Sequence, residues 1–424
     1  MSRYKTYKPS GIDWIGEVPE HWEVKRLKHI LLGVNSGDGI SNNEMEEDGE
    51  FEIYGGNGVM GYTNKFNSEG EVIVIGRVGA KCGVTYLLDQ KLWISDNALQ
   101  TRTYQNYKYL YYLLVAIDFN QYANQNAQPL ITGTIVKNFP IPFVKSKEEQ
   151  LTIANYLDEQ TQKIDRLIAN KKAQAEKLKE LRQIEINHAV TKGLNPSAEM
   201  KDSGIEWLGK IPKHWEVKRL KNVADINATK QELKYEEVKD REVVFLAMES
   251  VSENGQIDNS EKRPVSELWE GFTYFQKNDV IIAKITPCFE NGKGAWLNNL
   301  ESDFGFGSTE FHTVRGHKNR LDNHYFYHVT KSDVFMKIGE AFMTGSAGQK
   351  RVSTNFVLTF KLAFPPIKEQ IEISNYLQKR TTAIDQLIKN IEAQIEKLQE
   401  LRKIKIYEAV TGKIKVNAYA ETTA

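Results

Sequence analysis

Glu148-Glu149-Gln150-Leu151 opens a stretch that runs to Asn187-His188-Ala189-Val190 without a proline or a glycine. The stretch returns from Lys368 to Val410, 220 positions later, and Ile153, Tyr156, Leu157, Ile164, Asp165, Leu167, Ile168, Leu178, Leu181 and Arg182 all recur at that offset. Leu157, Ile164, Ile168, Leu178 and Leu181 in the first copy, and Leu377, Ile384, Ile388, Ile391, Ile395 and Leu398 in the second, fall at spacings of seven, four and three. That period puts them on one stripe of a helix, so they are the expected pairing residues. At 1.5 Å per residue, about 40 residues make a rod of roughly 60 Å, longer than a small domain is wide. Such a rod must bury its stripe. The nearest partner is the other copy in the same chain, and a whole domain lies between them. The two are therefore expected to run antiparallel as an intramolecular coiled coil with a globular module at each end. A coiled coil between two chains is the alternative. Lys171 and Ala175 interrupt the first stripe where the second has Ile391 and Ile395, so looser packing is expected there.

A second repeat lies outside the helices. Ser10-Gly11-Ile12-Asp13-Trp14-Ile15-Gly16 and Pro19-Glu20-His21-Trp22 return as Ser203-Gly204-Ile205-Glu206-Trp207-Leu208-Gly209 and Pro212-Lys213-His214-Trp215. The offset here is 193, and His21 to Lys28 match His214 to Lys221 without a change. Offsets of 193 before the middle and 220 after it make the second middle 27 residues longer. Near-identical flanks around unlike middles describe one frame carrying two variable modules.

Both middles read as α/β. In the first, Val72–Ile75, Val84–Leu88 and Leu92–Ile94 are short β-branched or aromatic runs separated by turns such as Gly55-Gly56-Asn57-Gly58, and Tyr107 to Ile117 reads as a helix. In the second, Val243–Leu246 and Asp279–Ala283 read as strands and His324 to Met336 as one helix. Gln128, Thr132, Phe139 and Phe143 align with Gln349, Ser353, Phe360 and Phe364 at an offset of 221. Gly193, with Pro196 just beyond it, is the expected left-handed stop of the first long helix. The expected organisation is a first module over 1–147, a spacer helix over 148–192, a linker and second module over 193–367, a second spacer helix over 368–412 and a tail over 413–424.

The chain has 424 residues, no net formal charge and two cysteines, Cys82 and Cys288. No apolar run reaches the length of a membrane span or a signal segment, so a cytoplasmic protein is expected. Two cysteines cannot build a disulfide or zinc framework, and both read as buried small hydrophobes. No phosphate-binding glycine loop and no metal-ligand spacing is present. His21 and His214 have no nucleophile or carboxylate recurring beside them in the sequence, so they read as packed partners of Trp22 and Trp215. An enzyme is not expected.

The binding signals lie in loops. Arg77 and Lys81 follow the central run of the first middle, and Gln128, Thr132 and Thr134 close it. Lys284 follows the central run of the second and Lys293 lies beyond it, while Gln349, Lys350 and Arg351 belong to a flexible basic loop with Ser353 just after it. Such residues can meet phosphates and base edges. Both middles are nonetheless slightly acidic, so much of any phosphate neutralisation must come from another subunit. A scaffold that binds only protein through its coiled coil is the competing reading.

The segments Trp14 to Leu27 and Trp207 to Leu220, with the helix starts Glu149 to Leu157 and Glu369 to Leu377, resemble the specificity subunit of type I restriction-modification systems. The resemblance covers nearly the whole chain. It implies a non-catalytic protein whose two target-recognition domains each read one half of an asymmetric two-part site in double-stranded DNA. The helices act as a ruler for the spacer, so four residues inserted after Val190 are expected to change spacer length. It further implies docking of two modification subunits, which carry S-adenosylmethionine, and of restriction subunits, which use ATP and Mg. This chain itself is expected to bind no cofactor and no membrane.

Overall fold

A computed structural model describes residues 2–79, 81–123, 129–346 and 348–417. The chain forms two compact units, Met1–Lys172 with Glu392–Ala424, and Ala173–Ile391. The first long helix spans Lys147–Lys192 and the second Ile367–Val410. The division falls inside both helices, so each unit holds one globular module, the start of one helix and the end of the other.

In the first unit the core is a four-stranded antiparallel sheet in the order Leu31–Ser36, Ala98–Thr103, Glu71–Gly76, Thr85–Asp89. The central Glu71–Gly76 strand is a continuous apolar run, Val72 to Ile75, because both of its faces are covered. Beside it lies a three-stranded sheet of Gly58–Thr63, Phe51–Gly55 and Trp93–Ile94, turned by the Gly55-Gly56-Asn57-Gly58 run. The helix Tyr107–Ile117 is capped by the Asn106 side chain, which accepts from the Tyr109 amide at 2.9 Å. Its apolar face joins Trp22, Ile153, Leu157, Ile406 and Val410 in one core.

The second unit repeats the strand order with Ala224–Ile226, Phe311–Gly316, Val280–Ala283 and Gly294–Trp296. Its second sheet has four strands, Lys262–Pro264, Glu242–Leu246, Phe304–Gly307 and Thr273–Gln276, and absorbs part of the extra length. One expectation fails here. His324 to Met336 is not one helix but nearly the whole of Asn323–Thr330 and the start of Asp333–Ala341. Ser332 breaks it by capping the second helix, accepting from the Phe335 amide at 3.3 Å. Lys331 beside it turns its ammonium onto the carbonyls of Glu253 at 2.9 Å, Gly294 at 3.1 Å and Gly292.

The repeat is literal in its hydrogen bonds. Pro140–Phe143 pairs antiparallel with Glu23–Arg26, and Lys361–Phe364 with Glu216–Arg219. Thr132 and Ser353 both cap the short helices that precede those strands. Gly193 takes the left-handed conformation, φ +75°, with its amide on the Ala189 carbonyl at the helix end.

The helices pair antiparallel within each unit. In the first, Arg402 Nε donates to Asp165 Oδ1 at 2.9 Å; in the second, Arg182 Nε donates to Asp385 Oδ1 at 3.0 Å. Asp385 and Arg402 are the 220-offset counterparts of Asp165 and Arg182, so the same pair is made twice with its partners exchanged, as an isologous interface would make it. Leu157, Ile164, Leu377 and Ile384 are buried, whereas Ile168, Leu178, Ile388, Ile391, Ile395 and Leu398 are half-buried and Leu181 is exposed. Ala175 is buried and Ile395, its larger counterpart, is half-buried. A two-helix pair covers only one side of each stripe.

The second module is seated on its helices by bases. His328 and Lys331 stand where the first module has Tyr112 and Val115. Burial pushes the His328 imidazole well below its usual range, with His324, Arg182 and Lys331 adding to the effect and a Ser374 backbone contact opposing it. Burial also pushes Lys331 down to about 7, aided by Arg182 and opposed by Glu253. An unfolded chain would hold the lysine proton to about pH 10 and the histidine protons to about pH 6.5. Folding is therefore favoured where these groups are neutral. Stability of the second unit should fall as the pH drops from about 10 to about 7 through Lys331, and again below about 6.5 through the histidines. Hydrogen exchange over Asn323–Thr330 across this range measures it. Lys331→Met should flatten the upper limb; an unchanged slope would remove Lys331 from the account.

Candidate nucleic-acid interface

The central strand of each sheet ends in a corner built the same way. The Arg77 amide bonds the Asn97 carbonyl at 3.0 Å, and the Arg77 carbonyl accepts from Ile131 at 2.9 Å. Lys284 does the same with Glu310 at 2.7 Å and Val352 at 2.9 Å. Even the side chains agree. Arg77 Nη1 reaches the Asp96 carbonyl at 3.2 Å, and Lys284 Nζ the Thr309 carbonyl at 2.7 Å. Arg77 and Lys284 are thus equivalent, which no shared residue type announces. Desolvation pushes Lys284 down, Glu310 opposing it.

The second corner is more elaborate. Arg351 Nε sits 3.0 and 2.9 Å from the two Glu310 oxygens, and Nη2 is 2.9 Å from Oε1. His312 Nε2 donates to the Val352 carbonyl at 3.0 Å, which leaves Nδ1 to accept from Asn227 Nδ2 at 3.3 Å. Burial drops His312 to about 4, so it is neutral at physiological pH. Beside these residues lies a cleft of about 360 Å³, lined by Asn227, Thr229, Lys230, Tyr274, Lys284 and Phe311 among others.

The other expected residues are placed as follows. Thr132 and Ser353 spend their side-chain oxygens on helix caps. Thr134, Lys81, Gln349 and Lys350 have exposed side chains. Lys293 lies on the adjoining strand edge, its ammonium on the Met248 carbonyl at 3.0 Å. Gln128 lies outside the described residues. Asn227, Glu310 and His312 escaped the sequence reading because nothing in their spacing ties them to Arg351. Cys82 is buried, but Cys288 is only half-buried.

The paired histidines do have a carboxylate. His21 Nε2 lies 3.1 Å from Glu149 Oε2 while Trp22 Nε1 donates to Glu149 Oε1 at 3.1 Å; His214 and Trp215 grip Glu369 at 2.7 and 3.1 Å. The carboxylate was missed because it lies more than 120 residues away in sequence, in the first turn of each long helix. Each carboxylate acts as a clamp, holding a fully buried indole on one oxygen and an exposed His on the other.

The Type I restriction modification DNA specificity domain model matches residues 19–177 and again 212–397. This chain belongs to that family. The matches end within the long helices, so each includes a module and the first part of the helix that follows it. The specificity subunit of the EcoEI enzyme of Escherichia coli is 35% identical over 193 residues, 45% of this chain and 32% of that protein. This chain therefore spans about a third of that relative's length. The MjaVIII specificity subunit of Methanocaldococcus jannaschii is 25% identical over 437 residues, 94% of each chain. A chain from a structural study of type I R-M complex assembly and conformational transition shares the fold, with a TM-score of 0.67, 13% identity and coverage of 94% of this chain and 99% of that one. Two specificity domains in one chain account for the paired corners and paired clamps. Among the described residues no helix is long and apolar enough to cross a membrane, and no cluster could hold a metal ion.

Proposed function

We propose that this chain is the non-catalytic DNA-recognition subunit of a type I restriction-modification complex, each module reading one half of an asymmetric two-part site. One observation carries the reading: two modules share strand order and corner geometry on a repeated frame, yet differ in the loops the corners present. A symmetric dimer reads a palindrome, whereas a pseudo-symmetric chain with unlike readers matches two unlike half-sites. The long helices set the spacer.

The helices also support docking. The first unit exposes Leu167, Leu401 and Ile404, and the second exposes their repeat counterparts Leu387, Leu181 and Ile184. Two matching sets of exposed apolar side chains suit two copies of one partner. In this reading those are modification subunits, which carry S-adenosylmethionine and supply the positive charge the modules lack. Restriction subunits join with ATP and Mg.

The test is co-expression with the cognate modification subunit and genome-wide mapping of methylated adenine. A two-part asymmetric motif is the expected result. A palindrome would sink the two-reader assignment, and methylation without this chain would sink the assignment altogether.

A further inference from the structure

Arg351 has the charge and exposure of a phosphate contact, but its guanidinium is already engaged. Nε and Nη2 hold Glu310, and Nη1 points to the Gln349 carbonyl at 3.4 Å. The backbone on either side is tied as well. Arg351 N donates to the Thr344 carbonyl at 2.8 Å and Thr344 N to the Arg351 carbonyl at 3.0 Å, closing a short loop. Thr286 N donates to the Lys350 carbonyl at 3.0 Å, and Lys350 N to Thr286 Oγ1 at 3.2 Å. Gly345 lies at φ +134°, and a Cβ there would come within 2.6 Å of the Gln349 carbonyl. The side chains of Gln349 and Lys350 stay exposed at the tip. Glu310 belongs to the same corner, since its carbonyl accepts the Lys284 amide. Arg351 holds its carboxyl below the usual carboxylate range, so the pair is charged at physiological pH.

Among its described residues the first module has no such lock. Its corner carries Leu130 in the place of Arg351 and Asn97 in that of Glu310, held by the Val78–Leu130 bridge.

We infer that Glu310 and Arg351 are positioning residues for the second half-site: together they hold the backbone at residues 349–351 so that Gln349 and Lys350 meet the DNA in one geometry. This rests on the DNA-reading function proposed above. A carboxylate on a DNA-facing corner repels phosphate, so its presence needs a compensating role. A bidentate Arg–carboxylate pair restricts orientation as well as contributing energy. A loop presenting an amide and an ammonium discriminates bases only if its backbone is held.

The experiment uses the full chain in complex with its modification subunit, comparing Glu310→Gln, Arg351→Gln, the double variant and the charge-swapped pair Glu310→Arg with Arg351→Glu. Methylated motifs and binding to matched and mismatched duplexes are read for each. Each single variant is expected to lower discrimination at the same half-site about tenfold and leave the other half-site unchanged. The double variant should be no worse than either, and the swapped pair should recover part of the loss, which a variant that merely unfolds would not. Two outcomes overturn the inference. One is Glu310→Gln tightening binding to all sequences with the motif unchanged while Arg351→Gln weakens it uniformly, the signature of a phosphate contact. The other is no change in either variant. A wild-type complex without a two-part motif would instead remove the DNA-reading proposal beneath it.

Discussion

Trp215→Ala should destabilise the second unit by about 4 kcal/mol, the range for removing a buried tryptophan. The indole is fully buried and its N–H donates to Glu369 Oε1 at 3.1 Å. It also closes over the end of the other helix, where a Cβ on Gly193 would lie 3.2 Å from Trp215 Cζ2 and 3.1 Å from Glu369 Oε1. One side chain therefore joins a module, one helix start and one helix end. Trp22 does the same in the first unit between Glu149 and Gly412. Loss of about 4 kcal/mol is a large share of the stability of a typical domain. Thermal unfolding of Trp215→Ala should show an early transition that Trp22→Ala does not share, and hydrogen exchange should assign it to residues 173–391. A single transition shifted equally by both variants would show that the clamps do not act unit by unit.

The second large effect concerns the helices as a ruler. Seven residues added to both helices at facing points, after Ala173 and after Ala393, should lengthen the spacer by about three base pairs, since a heptad adds about 10 Å of helix. Both half-sites should remain as they were. Seven residues added to one helix only should abolish site-specific methylation. From Asp165 to Arg182 the partner residue retreats from Arg402 to Asp385, 17 positions on each helix, and a one-sided insertion cannot keep both ion pairs. Insertion after Val190 is no better. Val190 is buried in the second core, three residues before Gly193, so added residues there would lift the helix end from Trp215. Methylated-motif mapping of each variant decides. An unchanged spacer in the doubly extended chain would end the ruler assignment.

Much of this architecture is legible in the residues. The offsets of 220 and 193 establish two copies, and the heptad stripe establishes that the helices need partners. The central strands, the Tyr107–Ile117 helix and the Gly193 stop follow from local rules of burial, propensity and φ > 0. The break at Lys331 and Ser332 does not. Apolar periodicity runs through it, and only the carbonyls of Glu253, Gly292 and Gly294, brought from distant loops, give the lysine a reason to turn inward.

The candidate site divides the same way. Sequence placed Arg77, Lys284 and the 349–351 cluster near strand ends, but could not show that Arg77 and Lys284 are equivalent, because the intervening loops differ in length. Nor could it show that Thr132 and Ser353 are caps, or that Arg351 is held by a carboxylate 41 positions earlier. By itself the sequence determined the duplication, the helical stripe and the family, all of which depend on residue identity at fixed spacing. The tertiary structure alone decided the Glu149 and Glu369 clamps, the reciprocal ion pairs and the locked second corner. Each joins residues far apart in the chain, and only the closing of each unit brings their polar atoms within hydrogen-bonding distance.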